Sequence, residues 1–236
     1  MAQSAMSETV SVVIVNFQGR RFLPRALASV TALDRAPEEV IVIDNASTDG
    51  SAEEAARRFP RVRVIRNRRN LGFAKACNQA FAESGGEFVA ILNNDIMLEP
   101  TWLSAMLEGM RDHPRAAALS SKLRLMKARQ ALAGAGAYMN WQGFGFDRGV
   151  YEWDTGQYDR AQPTLAACAA AAMIRRAVYE AVGPFDEQFF MYHEDVDWCW
   201  RAWLYGFEVW YQPAAVAYHR LEGSSRRYLG RRAKER

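Results

Sequence analysis

Two clusters of oxygen-bearing side chains in this sequence have the types and spacing that chemistry needs. The first is Asn93-Asn94-Asp95, reached directly from the apolar run Phe88-Val-Ala-Ile-Leu92. One carboxylate and two amides suit a hard divalent cation and the phosphates that travel with it. Asn and Asp also favour turns, so a plain turn explains the same three residues. The second cluster is His193-Glu194-Asp195-Val196-Asp197. Its three carboxylates within four residues repel one another. Asp197 and Arg201 stand i, i+4, as a structural ion pair would, and Glu194 and Asp195 open a helix, where acids complement the dipole. The alternative for Asp195 is a general base, which needs access to a cleft; a helix start after a loop supplies that access.

Strands and helices must position these residues. Phe88 to Leu92 is short, apolar and bounded by polar residues, which predicts a buried strand, and Pro100 then opens a helix at Thr101. Upstream, the pattern predicts strands at Thr9–Phe17, Glu39–Asp44 and Val62–Asn67. Helices are predicted between them at Arg21–Ala32, Ala52–Phe59 (with Ser51 as cap) and Ala74–Ala82. Such alternation implies a parallel sheet with helices on both faces, whose strand ends form a ligand crevice. Asn16 and Asp44 end neighbouring strands at that crevice, and a carboxylate there can accept from a ribose hydroxyl or a base N–H. Asp49, in the turn that follows Asn45, fits a structural Asx-turn. Gly72 lets backbone approach a phosphate, with a helix N-terminus and Lys75 nearby, although one glycine before a helix is a weak signal.

Beyond Pro114 the pattern changes. Residues 115–165 are rich in Gly and aromatics and predict antiparallel strands and long loops of the kind that close over substrates. The aromatics Tyr138, Trp141, Phe144, Phe146, Tyr151 and Trp153 can stack on sugar faces or pack a core. A strand is predicted over Leu165–Ile174, then helices at Arg176–Val182 and up to Leu204 with Gly206 as cap. Strands follow at Phe207–Tyr211 and Ala215–Tyr218, with His219 just beyond.

Composition narrows the classes. The 236 residues are 50% hydrophobic and 24% charged, as in ordinary globular proteins. No apolar run reaches the roughly 18 residues of a membrane span, and MAQSAMSETV is not a signal peptide. Three scattered cysteines, Cys77, Cys168 and Cys199, argue for reduced thiols and a cytoplasmic setting. From Arg220 onward seven basic residues face two acidic ones, so that tail is +5 and the other 219 residues sum to −2. The body therefore excludes a nucleic-acid binder. The tail has two readings: a solvated terminus, or a peripheral contact with anionic lipid at the inner membrane face. Neither a Walker lysine motif nor G-x-G-x-x-G occurs, which removes support for nucleoside triphosphate hydrolysis and dinucleotide redox chemistry.

The segments SVVIVNF, VIVIDNASTDGS, NLGFAKACNQAF, ILNNDIMLEP and GPFDEQFFMYHEDVDWCWRAWLYGFEVWYQPAAVAYH, in that order, resemble the motifs of family-2, GT-A-fold inverting glycosyltransferases. The likeness covers roughly residues 10–220 and is greatest to the rhamnosyltransferase-like branch that builds bacterial surface polysaccharides. It implies an α/β GT-A fold: a Rossmann-like, mostly parallel sheet with a smaller antiparallel acceptor-side portion. Residues 1–114 would form the nucleotide-sugar-binding half, 115–220 the acceptor and catalytic half of the same domain, and 221–236 a basic tail.

The resemblance also implies roles. Asn16, Asp44, Asn45, Gly72, Lys75, Asn93 and Asn94 would meet a UDP- or dTDP-linked sugar. Asp95, Asn93 and His219 would meet Mn²⁺ or Mg²⁺. Asp195 would be the base, with Glu194 beside it, acting on a glycan or lipid-linked acceptor. Two departures stand out: Asn93 replaces the first Asp of the D-x-D-type motif, and relatives often run longer than His219-Arg-Leu-Glu-Gly-Ser-Ser225. Two rivals remain. A sugar nucleotidyltransferase would carry a Gly-rich basic loop where this chain has Asn16-Phe-Gln-Gly-Arg20. A non-catalytic sugar-nucleotide or glycan-binding module need not keep Asp44, Asp95 and Asp195 together.

Overall fold

The run Val10-Ser-Val-Val-Ile-Val-Asn16 forms β1 (Val10–Asn16), and every residue in it is buried. A strand covered by helices on both faces requires this, and alternation divides its side chains between two cores. Val12 and Ile14 pack with Leu23, Leu27, Trp102 and Met106. Val13 and Val15 pack with Ala76, Ala80, Phe81 and Trp198. The computed structural model that gives this architecture describes residues 8–142 and 145–221. Phe144 and the basic tail after Leu221 therefore lie outside the described residues.

After β1 come α1 (Leu23–Thr31), β2 (Glu39–Asp44), α2 (Ser51–Arg58), β3 (Arg63–Arg66), α3 (Phe73–Glu83) and β4 (Phe88–Asn93). β5 (Ile96–Leu98), α4 (Trp102–Asp112), β6 (Ala116–Leu125), β7 (Ala128–Ala135), β8 (Ala137–Met139) and β9 (Gly145–Asp147) follow. The described chain closes with β10 (Gln162–Pro163), β11 (Ala171–Arg175), α5 (Arg176–Val182), α6 (Glu194–Leu204) and β12 (Glu208–His219). A ten-stranded sheet runs β10-β12-β6-β11-β4-β1-β2-β3, with β5 beside β12 and β7 beside β6; β8 and β9 form a separate two-stranded ribbon. β3, β2, β1 and β4 are parallel, and Asn16 pairs with Asp44, so those two strands end level. β11 enters antiparallel between β4 and β6 and carries the same sheet into the second half of the chain. No described helix is long and apolar enough to cross a membrane.

Several local expectations are corrected. Ser51 is the first residue of α2 rather than its cap: Gly50 holds the cap position at φ 79° and the Ser51 hydroxyl is spent on Asn16. The strand expected from Leu165 begins only at Ala171, because the segment before it turns to deliver backbone to neighbouring elements. There Ala170 O accepts from Asn93 N–H, and Ala169 N–H reaches α6. The two strands expected at the end are one, β12, with a register shift between Gln212 and Val216. Pro213, which has no N–H to give a ladder, falls in that shift.

Candidate active site

The carboxyl ends of β1, β2 and β4 open onto a cavity of about 410 Å³, which the start of α6 and the β8–β9 ribbon enclose from the other side. Its size suits a small-molecule site. Asn45, Gly72, Asn93, Asn94, Asp95, Glu194, Asp195 and His219 all line it; Asn16, Asp44 and Lys75 do not.

Asn16 and Asp44 act one layer beneath the cavity wall. Asp44 is fully buried and its Oδ1 accepts from Asn16 Nδ2 at 2.7 Å, while its Oδ2 accepts from Ser47 N–H. Asn16 Nδ2 also reaches Ser51 Oγ at 2.9 Å, and its Oδ1 accepts from Asn94 Nδ2 at 2.8 Å. This chain of bonds ties the ends of β2 and β1 to the turn after β4. It sets where Asp95 stands. Asp44 thus lies behind the cavity wall with one hydrogen bond on each carboxylate oxygen, and the adjacent Asn45 faces the cavity. Asn45 Nδ2 donates to Gly72 O, and its Oδ1 accepts from Asn67. Lys75 sits outside, paired with Glu187. Asp49 does make the expected Asx-turn, accepting from Ser51 N–H.

Gly72 has φ 87° and ψ 172°, a region open essentially to Gly alone. A Cβ there would lie 2.5 Å from Phe190 O. The close approach that this glycine permits is thus to the 190–193 turn, whose Phe190 O also accepts from Phe73 N–H. Tyr192 and His193 follow with φ of 75° and 71°, two left-handed non-Gly residues in succession. Each costs on the order of 1–3 kcal/mol. They swing the chain so that α6 begins with Glu194 and Asp195 at the cavity.

The two acids differ. Asp195 accepts from Ala169 N–H at 3.0 Å through Oδ2 and from Val196 N–H through Oδ1. Burial raises its pKa, and those backbone donors oppose the rise. Glu194 is 4% exposed and its Oε2 has no hydrogen-bond partner. Burial first, and then the Asp195 charge, push it up to about 8. At neutral pH Glu194 therefore favours its protonated form, and Asp195, whose carboxyl is also raised, shares the pair's titration. Farther along α6, Asp197 and Arg201 form the expected ion pair at 3.0 Å.

Asp95 lies in the turn between β4 and β5, 7% exposed, with Oδ1 3.3 Å from His219 Nε2. His219 ends β12 opposite Ile96, so pairing of β12 with β5 brings it there. No described group of three or more His, Cys, Asp or Glu is spaced to hold a metal. A carboxylate and an imidazole side by side still suit Mn²⁺, with ligand oxygens and water completing the shell. The fit is reinforced by charge: Asp95, Asp147, Glu194 and Asp195 line the cavity, and no described lining residue is Lys or Arg.

Among the lining residues that the sequence reading missed, Asp147 is the carboxylate. The Gly-aromatic stretch around it signals a loop over substrate, but nothing in that pattern says which of its residues turns inward.

A profile of the Glycosyl transferase family 2 matches residues 11–183. The chain belongs to that family. This family-2 glycosyltransferase is 30% identical over 246 residues to a Mycobacterium tuberculosis N-acetylglucosaminyl-diphospho-decaprenol L-rhamnosyltransferase, covering 94% of this chain and 79% of that one. Its fold matches GalNAc-T7, solved with UDP, GalNAc and Mn²⁺, at TM-score 0.72 and 17% identity, over 89% of this chain and 43% of the other. It also matches the Pyrobaculum calidifontis mannosyltransferase PcManGT, solved with GDP-Man and Mn²⁺, at TM-score 0.67 and 20% identity, over 95% of this chain. The glycosyltransferase spans only 60% of that second structure's chain. The architecture is GT-A.

Proposed function

We propose that this glycosyltransferase moves a sugar, with inversion, from a UDP- or dTDP-sugar to a hydroxyl of a glycan or lipid-linked acceptor in bacterial surface polysaccharide synthesis, with Mn²⁺ or Mg²⁺ as cofactor. The observation that carries the reading is the acid-lined cavity at the strand ends, where Asp95, Asp147 and the Glu194–Asp195 pair meet no described Lys or Arg. A diphosphate is repelled from such a site unless a cation accompanies it. The similarity to a transferase whose name specifies a diphospho-decaprenol acceptor and L-rhamnose supports the acceptor class. The +5 tail suits contact with the anionic membrane that would carry such an acceptor.

In this reading Asp95 and His219 hold the metal, and Asn93 and Asn94 meet the donor beside it. A cation held there would supply positive charge against the negative charge that the departing diphosphate gains. Asp195 takes the proton of the acceptor hydroxyl as its oxygen bonds to the anomeric carbon and the anomeric carbon–phosphate oxygen bond breaks, its electron pair leaving with the nucleotide. Glu194, protonated and buried, keeps a second negative charge out of the base's vicinity. Asn45 and the Gly72 turn border the nucleotide end. Positioned proton transfer of this kind contributes roughly 10²–10⁴-fold.

The test is thermal stability with UDP, dTDP and GDP, each with and without Mn²⁺. A ligand that binds the folded state raises the midpoint. Stabilisation by one nucleotide that requires Mn²⁺ and disappears in Asp95→Ala is the expected result. No shift with any nucleotide, or a shift indifferent to the metal, overturns the reading of the donor site.

A further inference from the structure

Asp147 has no part in the scheme above, yet it is the cavity carboxylate with the fewest internal ties. It ends β9, and backbone bonds fix it there: Arg148 N–H donates to Gly136 O and Ala135 N–H to Arg148 O, both at 2.8 Å. Arg148 Nε adds a bond to Ala135 O at 2.8 Å. Opposite, Gly134 has no side chain, and a Cβ there would rest 3.6 Å from Asp147 Cβ. The main chain is thus locked, while the carboxylate is accessible in the cavity and makes no hydrogen bond or ion pair with any described residue. By contrast Asp195 has two backbone donors and Asp95 has His219. The locked backbone thus presents an accessible, unpartnered carboxylate to the cavity, where a ligand hydroxyl can replace its water.

Its neighbours indicate which ligand. Burial, then repulsion from Asp195, pushes the Asp147 carboxyl up to about 6, with His219 acting in the other direction. Asp147 lines the same cavity as Asp195, where the acceptor hydroxyl must lie to give up its proton. It comes from the ribbon, not from the strand ends that border the nucleotide. Nearby, Gly145 faces Val196 of α6, where a Cβ would lie 3.5 Å away, so ribbon and base-bearing helix are packed together. Glu194, buried with an unpartnered Oε2, lines the same corner, and burial and then Asp195 push its carboxyl up as well.

Resting on the transferase reading, we propose that Asp147 is an acceptor-positioning residue: its carboxylate accepts a hydrogen bond from a second hydroxyl of the acceptor sugar, next to the one that Asp195 deprotonates. Two anchor points on one pyranose ring fix both its distance and its orientation for in-line attack. The site therefore selects acceptors by the hydroxyl beside the one attacked.

The experiment measures transfer from dTDP-rhamnose and from UDP-sugars to N-acetylglucosaminyl diphosphate on a short prenol, with the parent protein, Asp147→Asn and Asp147→Ala. Loss of a charge-assisted hydrogen bond raises the acceptor KM about 10- to 100-fold in Asp147→Ala. Asp147→Asn, which keeps an accepting oxygen, falls between the two. The nucleotide- and Mn²⁺-dependent midpoint shift stays at the parent value in both variants, which also reports that they fold. One monodeoxy analogue of the acceptor sugar lowers the parent's kcat/KM by a similar factor and costs Asp147→Ala nothing further. An unchanged acceptor KM, or a lost Mn²⁺-dependent shift, overturns the role of Asp147 and leaves the transferase reading in place. Failure of the parent itself to transfer to this acceptor from any of the donors overturns both.

Discussion

Glu194→Gln isolates the proton that the Glu194–Asp195 pair is argued to hold. In the unfolded chain the Glu194 carboxyl titrates near its ordinary 4.5; in the fold it is pushed up to about 8 by burial and then by Asp195. The folded state thus binds one more proton than the unfolded state between those values. The linkage slope is negative, so stability is fully present below the unfolded pKa and is lost as pH rises toward 8. Asp147, raised to about 6, contributes a slope of the same sign at lower pH, and the raised Asp195 adds one common to parent and variant, so the comparison is made over pH 6 to 8. At 1.36 kcal/mol per unit, with half-titration at the upper end, the parent loses about 2 kcal/mol there. Glu194 is 4% exposed, so solvent screens little of this. Glu194→Gln fills the same volume and cannot ionise, so its urea-unfolding free energy falls less steeply with pH across the window than the parent's. The two proteins are compared by urea titration at half-unit pH steps. Equal pH slopes for parent and variant would show that Glu194 is ionised in the fold, and the one-proton account of the pair would fall.

Gly72→Ala places a side chain where φ and ψ admit only Gly and where Phe190 O blocks the Cβ at 2.5 Å. It should lower stability by about 2–4 kcal/mol, and the 190–193 turn should shift, weakening nucleotide binding in the thermal assay. A variant with parent stability would contradict the strain argument. Away from the cavity, Lys122 and Asp154 form a buried ion pair at 3.1 Å, with Arg124 and Asp159 also engaged. Burial opposes the Asp154 charge, but hydrogen bonds from Arg124 and Lys122 outweigh it and hold the carboxyl below 3.8. The stability it adds is present above that unfolded value and lost as pH falls through the folded one, which acid titration should show. Asp154→Ala leaves the buried Lys122 with Asp159 as its remaining partner and should lower stability at neutral pH, by less than the roughly 3–5 kcal/mol of a fully stranded buried charge, in urea unfolding.

The first half of the chain is legible because its signals are local. β-branched runs, Gly and Pro punctuation, and the alternation of strand and helix place β1 to β4 and the Asn93-Asn94-Asp95 turn at one sheet edge. Asp44 is harder to read. Successive side chains on a strand point oppositely, and whether Asp44 or Asn45 meets the cavity depends on how the turn after β2 is cut. That is decided by the Asn16 and Ser47 bonds, which join residues far apart in sequence. His219 reaches Asp95 only through pairing of β12 with the three-residue β5, too short to carry a periodic signal. Asp147 depends on the β8–β9 ribbon, whose weak pattern reads only as loop.

Asp195 is the base in the proposed reaction. Asp195→Asn keeps the size of the side chain and loses the charge that takes the acceptor proton. With the donor and acceptor above, transfer should fall by roughly 10²–10⁴-fold while the nucleotide shift with Mn²⁺ persists. Transfer within a few-fold of the parent would contradict the assignment of Asp195 as base.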